Sequence, residues 1–223
     1  MLMITDRRRL LYTLAAGIAA LATAALPLPA RAQQAYEDFV FAVANDRADQ
    51  VKSLLARGMD PGSVDRNGDP MLVVAARAGY LATVDALLTG RARADQRNAH
   101  GDTALMVAAL NGHTAVVKAL RARGATINVT GWTPLAYAAT GGHDDIVRYL
   151  LAEGANVDAV SPNGTTALMM AVREGRGSTV ELLLARGANP TLRNQNGASA
   201  LAWAKRNDDK AVVAALKRAG ARE

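Results

Sequence analysis

A ruler of glycines constrains this chain more than any other feature. Gly68, Gly101, Gly131, Gly164 and Gly197 stand 33, 30, 33 and 33 residues apart. A second series, Gly58, Gly124, Gly154, Gly187 and Gly220, keeps the same period, with Arg91 in its one missing slot. The text around the first series rhymes: Gly101-Asp102-Thr103-Ala104-Leu105 returns as Gly131-Trp132-Thr133-Pro134-Leu135, as Gly164-Thr165-Thr166-Ala167-Leu168 and as Gly197-Ala198-Ser199-Ala200-Leu201. A period of this size predicts a stack of small units, each able to bury its apolar face only against its neighbours.

Each unit reads as two short helices. Thr103, Thr133, Thr166 and Ser199 are placed to accept a backbone N–H as N-caps, an interaction of about 1 kcal/mol. Pro134 suits the first helical position, where its missing donor costs nothing. The first helices end near Gly79, Gly112, Gly142 and Gly175. Second helices follow with apolar residues at helical spacing, such as Val116, Val117 and Leu120, then Ile146, Val147 and Leu150. They close on the second glycine series, where a left-handed cap needs no Cβ. In the second unit Gly90-Arg91 predicts a turn shifted by one residue. The chain is 50% hydrophobic but only 4% aromatic, a palette suited to closely packed small helices.

The segment Gly131–Ala155, with its Gly-x-Thr-Pro-Leu-x-x-Ala-Ala-x-x-Gly-His and Leu-Leu-x-x-Gly-Ala runs, resembles the ankyrin repeat. The resemblance, over residues 35–223, implies an all-α solenoid of about six helix-turn-helix repeats with short β-hairpin loops, and the segment ahead of it reads as a signal peptide. The units fall at 35–64, 65–97, 98–127, 128–160, 161–193 and 194–223, with the first and last as polar end caps. The His that the family often places after Pro-Leu is absent. The interval of 30 predicts that the finger around Asn128-Val129-Thr130 lacks three residues and is stunted. A stack capped at both ends leaves no room in this chain for a separate catalytic domain.

Residues 1–32 read as an address. Arg7, Arg8 and Arg9 precede an apolar run from Leu10 to Leu28, and Ala30-Arg31-Ala32-Gln33 offers small residues three and one before a cut. This is the pattern of a secretory signal cleaved after Ala32, with Pro27 and Pro29 expected to keep the site extended. The Arg pair also resembles the twin-arginine motif, although Asp6 stands where that motif has Ser or Thr. Both routes lead to the periplasm. Half of the formal charge of +6 lies in this segment, and no basic run follows it, so a phosphate-binding stripe is not expected.

Catalysis finds no constellation. The absence of cysteine excludes disulfides, thiolate zinc sites and a thiol nucleophile. His113 and His143 occupy equivalent slots of successive units, which favours a structural role over metal binding. No serine sits in a nucleophile-elbow context, and Gly175-Arg176-Gly177 reads as a helix–helix turn. No cofactor, metal or catalytic residue is expected.

Binding is the function the resemblance implies. Partners of ankyrin proteins usually meet the concave side, which corresponds here to Asn67, Asp69 and Arg77; His100, Asp102 and Leu110; Trp132 and Thr140; Asn163, Thr165 and Arg173; Asn196 and Arg206. Trp132 is either a partner anchor or a patch over the shortened finger. Trp203, Tyr137 and Met170 share an apolar slot and are expected in the core. The leading reading is a monomeric periplasmic scaffold for another envelope protein, with no nucleic acid and no stable membrane insertion after cleavage. Its rivals are a binder of small molecules or cell-wall polymers, and an effector acting on a protein of another cell.

Overall fold

The computed structural model describes residues 28–222, so the leader at residues 1–27 lies outside the described residues. Twelve α-helices form six antiparallel pairs among them: α1 Leu28–Ala44 with α2 Ala48–Ala56, α3 Met71–Ala78 with α4 Leu81–Thr89, α5 Ala104–Leu110 with α6 Thr114–Ala122, α7 Pro134–Gly141 with α8 Asp144–Ala152, α9 Ala167–Arg173 with α10 Gly177–Ala185, and α11 Ala200–Arg206 with α12 Lys210–Arg218. The odd-numbered helices pack in one row and the even-numbered in a second. The alanines make this close: Ala75, Ala76, Ala108, Ala109, Ala138 and Ala139 are fully buried between neighbouring first helices. Large side chains such as Phe39, Leu87, Leu120, Ile146, Leu150 and Leu183 fill the space between the rows.

The predicted caps form. Thr103, Thr133, Thr166 and Ser199 accept the N–H of Met106, Ala136, Met169 and Ala202 at 3.2–3.4 Å. At the second unit Pro70 holds that place with no side-chain cap. The turn after α4 is not shifted. Arg91 itself adopts the left-handed conformation, φ +69°, and donates to Leu88 O while Ala92 donates to Leu87 O. These are the bonds that Gly124 and Ala125 make after α6. A Cβ on Gly90 would stand 2.6 Å from Leu55 Cδ1, at the tip of a side chain that can swing, and 3.3 Å from Leu87 O.

A second correction concerns the expected extended cleavage site. Ala30, Ala32 and Gln33 lie within α1. α1 is also about twice as long as the other first helices. The phenol of Tyr36 donates to Val64 O at 2.7 Å, tying it to the next finger.

The fingers are narrow loops with single bridges, Val64–Pro70, Val160–Thr166 and Arg193–Ser199, and no strand is present among the described residues. Four fingers share one pattern. The N–H of Asp65, Asn98, Ser161 and Asn194 donates to the carbonyl of the residue four positions on, at 2.8–3.0 Å. Their side chains accept the N–H of that same residue, Asp69, Asp102, Thr165 or Ala198. The fifth finger departs, as its length predicts. With three residues gone, Asn128 fills both the slot of Asn98 in the turn and the slot of Asp95 and Asp158 ahead of it, and neither finger bond forms at Trp132. Asn128 instead accepts the N–H of Asn156 at 2.9 Å and donates to Gly154 O. Asp95 and Asp158 do the same work in their units, accepting from Thr126 and Asn189 at 2.8 Å. The missing residues therefore come out of the finger and leave the spine of loop-to-loop bonds whole.

Candidate functional site

The two histidines at equivalent slots belong to the same kind of spine. His113 Nε2 lies 3.0 Å from Arg77 O and His143 Nε2 lies 2.9 Å from Leu110 O. Each satisfies a carbonyl at the end of the preceding first helix, a group with no partner inside its own helix. Arg176 meets Thr140 O and Asn207 meets Val172 O in the same manner. The imidazoles pack so tightly that a Cβ on Gly79 or Gly112 would lie 2.6 Å from the next ring. No group of three His, Cys, Asp or Glu side chains is placed to hold a metal among the described residues.

On the concave side, the slot that follows each finger glycine is not solvent-facing. Asp69 is 8% exposed and Thr165 2%, while Asp102, Trp132 and Ala198 are half-buried. The finger pattern holds Asp69, Asp102, Thr165 and Ala198 by their backbone beneath the turn, whereas Trp132 is covered by packing on the core. Asp69 and Thr165 are therefore withdrawn from the contact surface. Asn67, His100, Asn163, Asn196, Arg77, Arg173 and Arg206 are exposed, and Leu110 and Thr140 half-buried.

Asp69 has a different task. It accepts Arg77 Nη1 at 2.7 Å and Asn98 Nδ2 at 2.9 Å. The Arg77 hydrogen bond, reinforced by Asn98 and the nearby positive charge, outweighs burial and holds the Asp69 carboxyl below its ordinary pKa. The Oδ1 of Asn98 accepts the N–H of His100 and of Asp102. Asp102 in turn accepts the phenol O–H of Tyr137. Burial first, and this bond second, raise the phenol's pKa, so it stays a protonated donor. One polar chain thus runs Arg77–Asp69–Asn98–Asp102–Tyr137 across three repeats. Neither Asn98 nor Tyr137 stood out in the sequence as part of a surface network. The recurring Asp65, Asn98, Asn128, Ser161 and Asn194, three residues before each finger glycine, were the available signal for Asn98.

At the end of this chain lies a cleft of about 190 Å³ lined by Leu110, Trp132, Tyr137, Thr140, Met170 and Arg173. It brings together four of the predicted concave residues, from three successive repeats. Tyr137 and Met170, expected in the core, form its walls, although Met170 is only 5% exposed. Trp132 packs one side on the hydrophobic core and meets the Tyr137 ring edge-on, centroids 6.5 Å apart at 86°. It is a structural patch and a cleft wall at once. Trp203 is half-buried against the core at the last repeat. A wider groove of about 570 Å³ lies at the other end of the stack, between α1 and the first finger. Its lining includes Tyr36, Val40, Phe41, Arg66 and Asn67, with Phe41 50% exposed beneath the Arg47 guanidinium. No helix among the described residues is long and apolar enough to cross a membrane.

Comparison with known proteins agrees with this architecture. The model for ankyrin repeats in three copies matches residues 39–130 and 128–194. The ankyrin repeat domain of human ASB11 superposes with a TM-score of 0.75 at 30% identity, covering 82% of this chain and 84% of that one. An ankyrin repeat domain from Acinetobacter baumannii AYE gives 0.73 at 30% identity, covering 82% and 98%. Among curated relatives, ankyrin repeat domain-containing protein 29 is 50% identical in Homo sapiens and 48% in Danio rerio over 56 residues. That segment is 25% of this chain and 19% of each relative.

Proposed function

Because the chain belongs to the ankyrin repeat family, whose members are generally non-catalytic protein-interaction modules, we propose that it is a periplasmic scaffold that binds an envelope protein through its concave face. The observation that carries this reading is the convergence of Leu110, Trp132, Thr140 and Arg173 in one cleft. Trp and Arg are the commonest anchors of protein interfaces. The periplasmic location rests on the basic, apolar and Ala-x-Ala pattern of residues 1–32. After cleavage following Ala32 the chain is expected to act as a monomer.

The test is a photo-crosslinking amino acid at position 132, irradiated in intact cells of the native host. A discrete heavier band that leaves the cells with the periplasmic fraction, and vanishes in an Arg173→Glu variant, is the expected result. Only intramolecular products, or a band confined to the cytoplasm, refute the scaffold or its location respectively. One observation favours a small-molecule reading as well: the groove at α1 is of ligand size, whereas the Trp132 cleft lies below the usual range of about 300–1,000 Å³. A metabolite that raises the melting temperature of the native protein, but not of Phe41→Ala, would support that reading.

A further inference from the structure

The chemistry of the Trp132 cleft says what kind of partner it fits, an inference that rests on the scaffold reading above. The two hydroxyl hydrogens of its lining are already committed from within. The Thr140 hydroxyl donates to Ala136 O at 2.7 Å, and the Tyr137 phenol donates to Asp102. What remains open to an occupant is apolar: Leu110, Met170 and the faces of Trp132 and Tyr137. A polar group placed against these surfaces would lose water for few hydrogen bonds in return. With about 190 Å³ of space, the cleft holds one large side chain, not a cofactor-sized molecule.

Arg173 stands at the rim and supplies the second half of the argument. Its side chain is 48% exposed, and its Nε donates to Glu174 at 2.8 Å. Nη1 and Nη2 make no bond among the described residues, which leaves the outer fork of the guanidinium for a planar anion. Arg206 repeats the slot one unit further on and is also exposed. Glu174 shares the charge of Arg173, and Asp102 on the far wall is hydrogen-bonded by the neutral Tyr137 phenol, so attraction for an anion at this rim rests on the outer fork of Arg173 and on Arg206.

We infer that the cleft is a socket for one large apolar side chain of the partner, in a segment whose adjacent carboxylate is caught by the terminal nitrogens of Arg173. The occupant is a protein segment with an apolar anchor beside Asp or Glu.

The experiment uses the chain from residue 33 onward in a Trp203→Phe background, so that Trp132 is the sole fluorescence reporter. Circular dichroism confirms that each variant retains its helices. The probes are capped octapeptides, Gly-Ser-Gly-Phe-Glu-Glu-Gly-Ser and its reverse order, with Phe→Ala and Glu-Glu→Lys-Lys controls. The expected result is a saturable shift in Trp132 emission with one of the Phe/Glu peptides, at least about tenfold weaker for both controls. Arg173→Gln should abolish the preference for Glu over Lys while leaving the response to Phe. Equal responses to all peptides, or none up to millimolar concentration, overturn the socket. If photo-crosslinking at position 132 still captures a periplasmic partner in that case, the scaffold stands and only the socket chemistry falls; if it captures nothing, both fall.

Discussion

Replacing Asn98 with Ala removes three hydrogen bonds from a residue that is 7% exposed. Two are accepted from the backbone of His100 and Asp102, and one is donated to the Asp69 carboxylate. A neutral bond contributes about 1 kcal/mol and one to a charged group about 1.5–3, so the loss should be about 3.5–5 kcal/mol. Asn98→Asp is the sharper perturbation. It keeps an acceptor for both N–H groups, as Asp65 does in the preceding finger. It also sets a carboxylate against Asp69, with repulsion of up to about 4 kcal/mol for unit charges ~4 Å apart at an effective dielectric of 20. The sign of the pH dependence then separates the variants. In the native protein Asp69 has a lowered pKa, so its contribution is present above the ordinary value of about 3.9 and is lost as pH falls through the lowered one. In Asn98→Asp the pair shares a proton and one pKa rises, so the variant is least penalised in acid and loses stability as pH climbs through the raised value. Urea denaturation from pH 3 to 7, followed by circular dichroism, measures both. The gap between Asn98→Asp and the native chain should shrink to about 1 kcal/mol or less near pH 3, while Asn98→Ala stays well below the native protein at pH 7. A gap independent of pH, or an Ala variant within about 0.5 kcal/mol of native, would refute the network as described.

Three further outcomes follow from the backbone and the spines. Gly112→Ala puts a Cβ at φ +78°, 2.6 Å from His143, and should cost about 2–4 kcal/mol in thermal or urea unfolding; Gly197→Ala, at φ +73° with nothing within 4 Å, should cost only about 1. Equal losses would mean that the imidazole is not wedged against the turn. Arg91→Gly relieves a left-handed non-glycine residue and should raise stability by about 0.5–1 kcal/mol, measured as a higher urea midpoint. The Thr114 hydroxyl, more than any other group, holds the Asp145 carboxyl below its ordinary pKa, so Thr114→Val should move the acid limb of the stability profile to higher pH; an unchanged limb would remove this bond from the account.

The fold was legible because its signals are local. Glycines at 68, 101, 131, 164 and 197 are all at positive φ, as are those at 58, 124, 154, 187 and 220, and a left-handed turn can be read from residue type alone. The three-residue gap was equally plain, and the loss of the finger bonds at Trp132 follows from it. The concave side was harder to read because it depends on contacts between repeats. Sequence spacing says that Asp69 follows a turn; it does not say that Asn98, 29 residues on, will lie against it. Tyr137 and Met170 share the slot that Trp203 occupies, and helical periodicity assigns all three to an inward face. Whether that face is roofed depends on the neighbouring finger, and at Tyr137 the neighbour is short. Arg91 shows the remaining limit: register, held by the flanking apolar residues, overrode residue preference at one turn.

The loop-to-loop bonds through Asp95, Asn128 and Asp158 run on unbroken past a finger that has lost three residues. Length on one side of this molecule is thus decoupled from alignment on the other. A triplet can be spliced in between Asn128 and Gly131, or taken out of a full-length finger at the matching place, while the helices on either side keep their register. The contact face can consequently drift in contour over generations, or be recut by design, as a hem is altered without touching the seam.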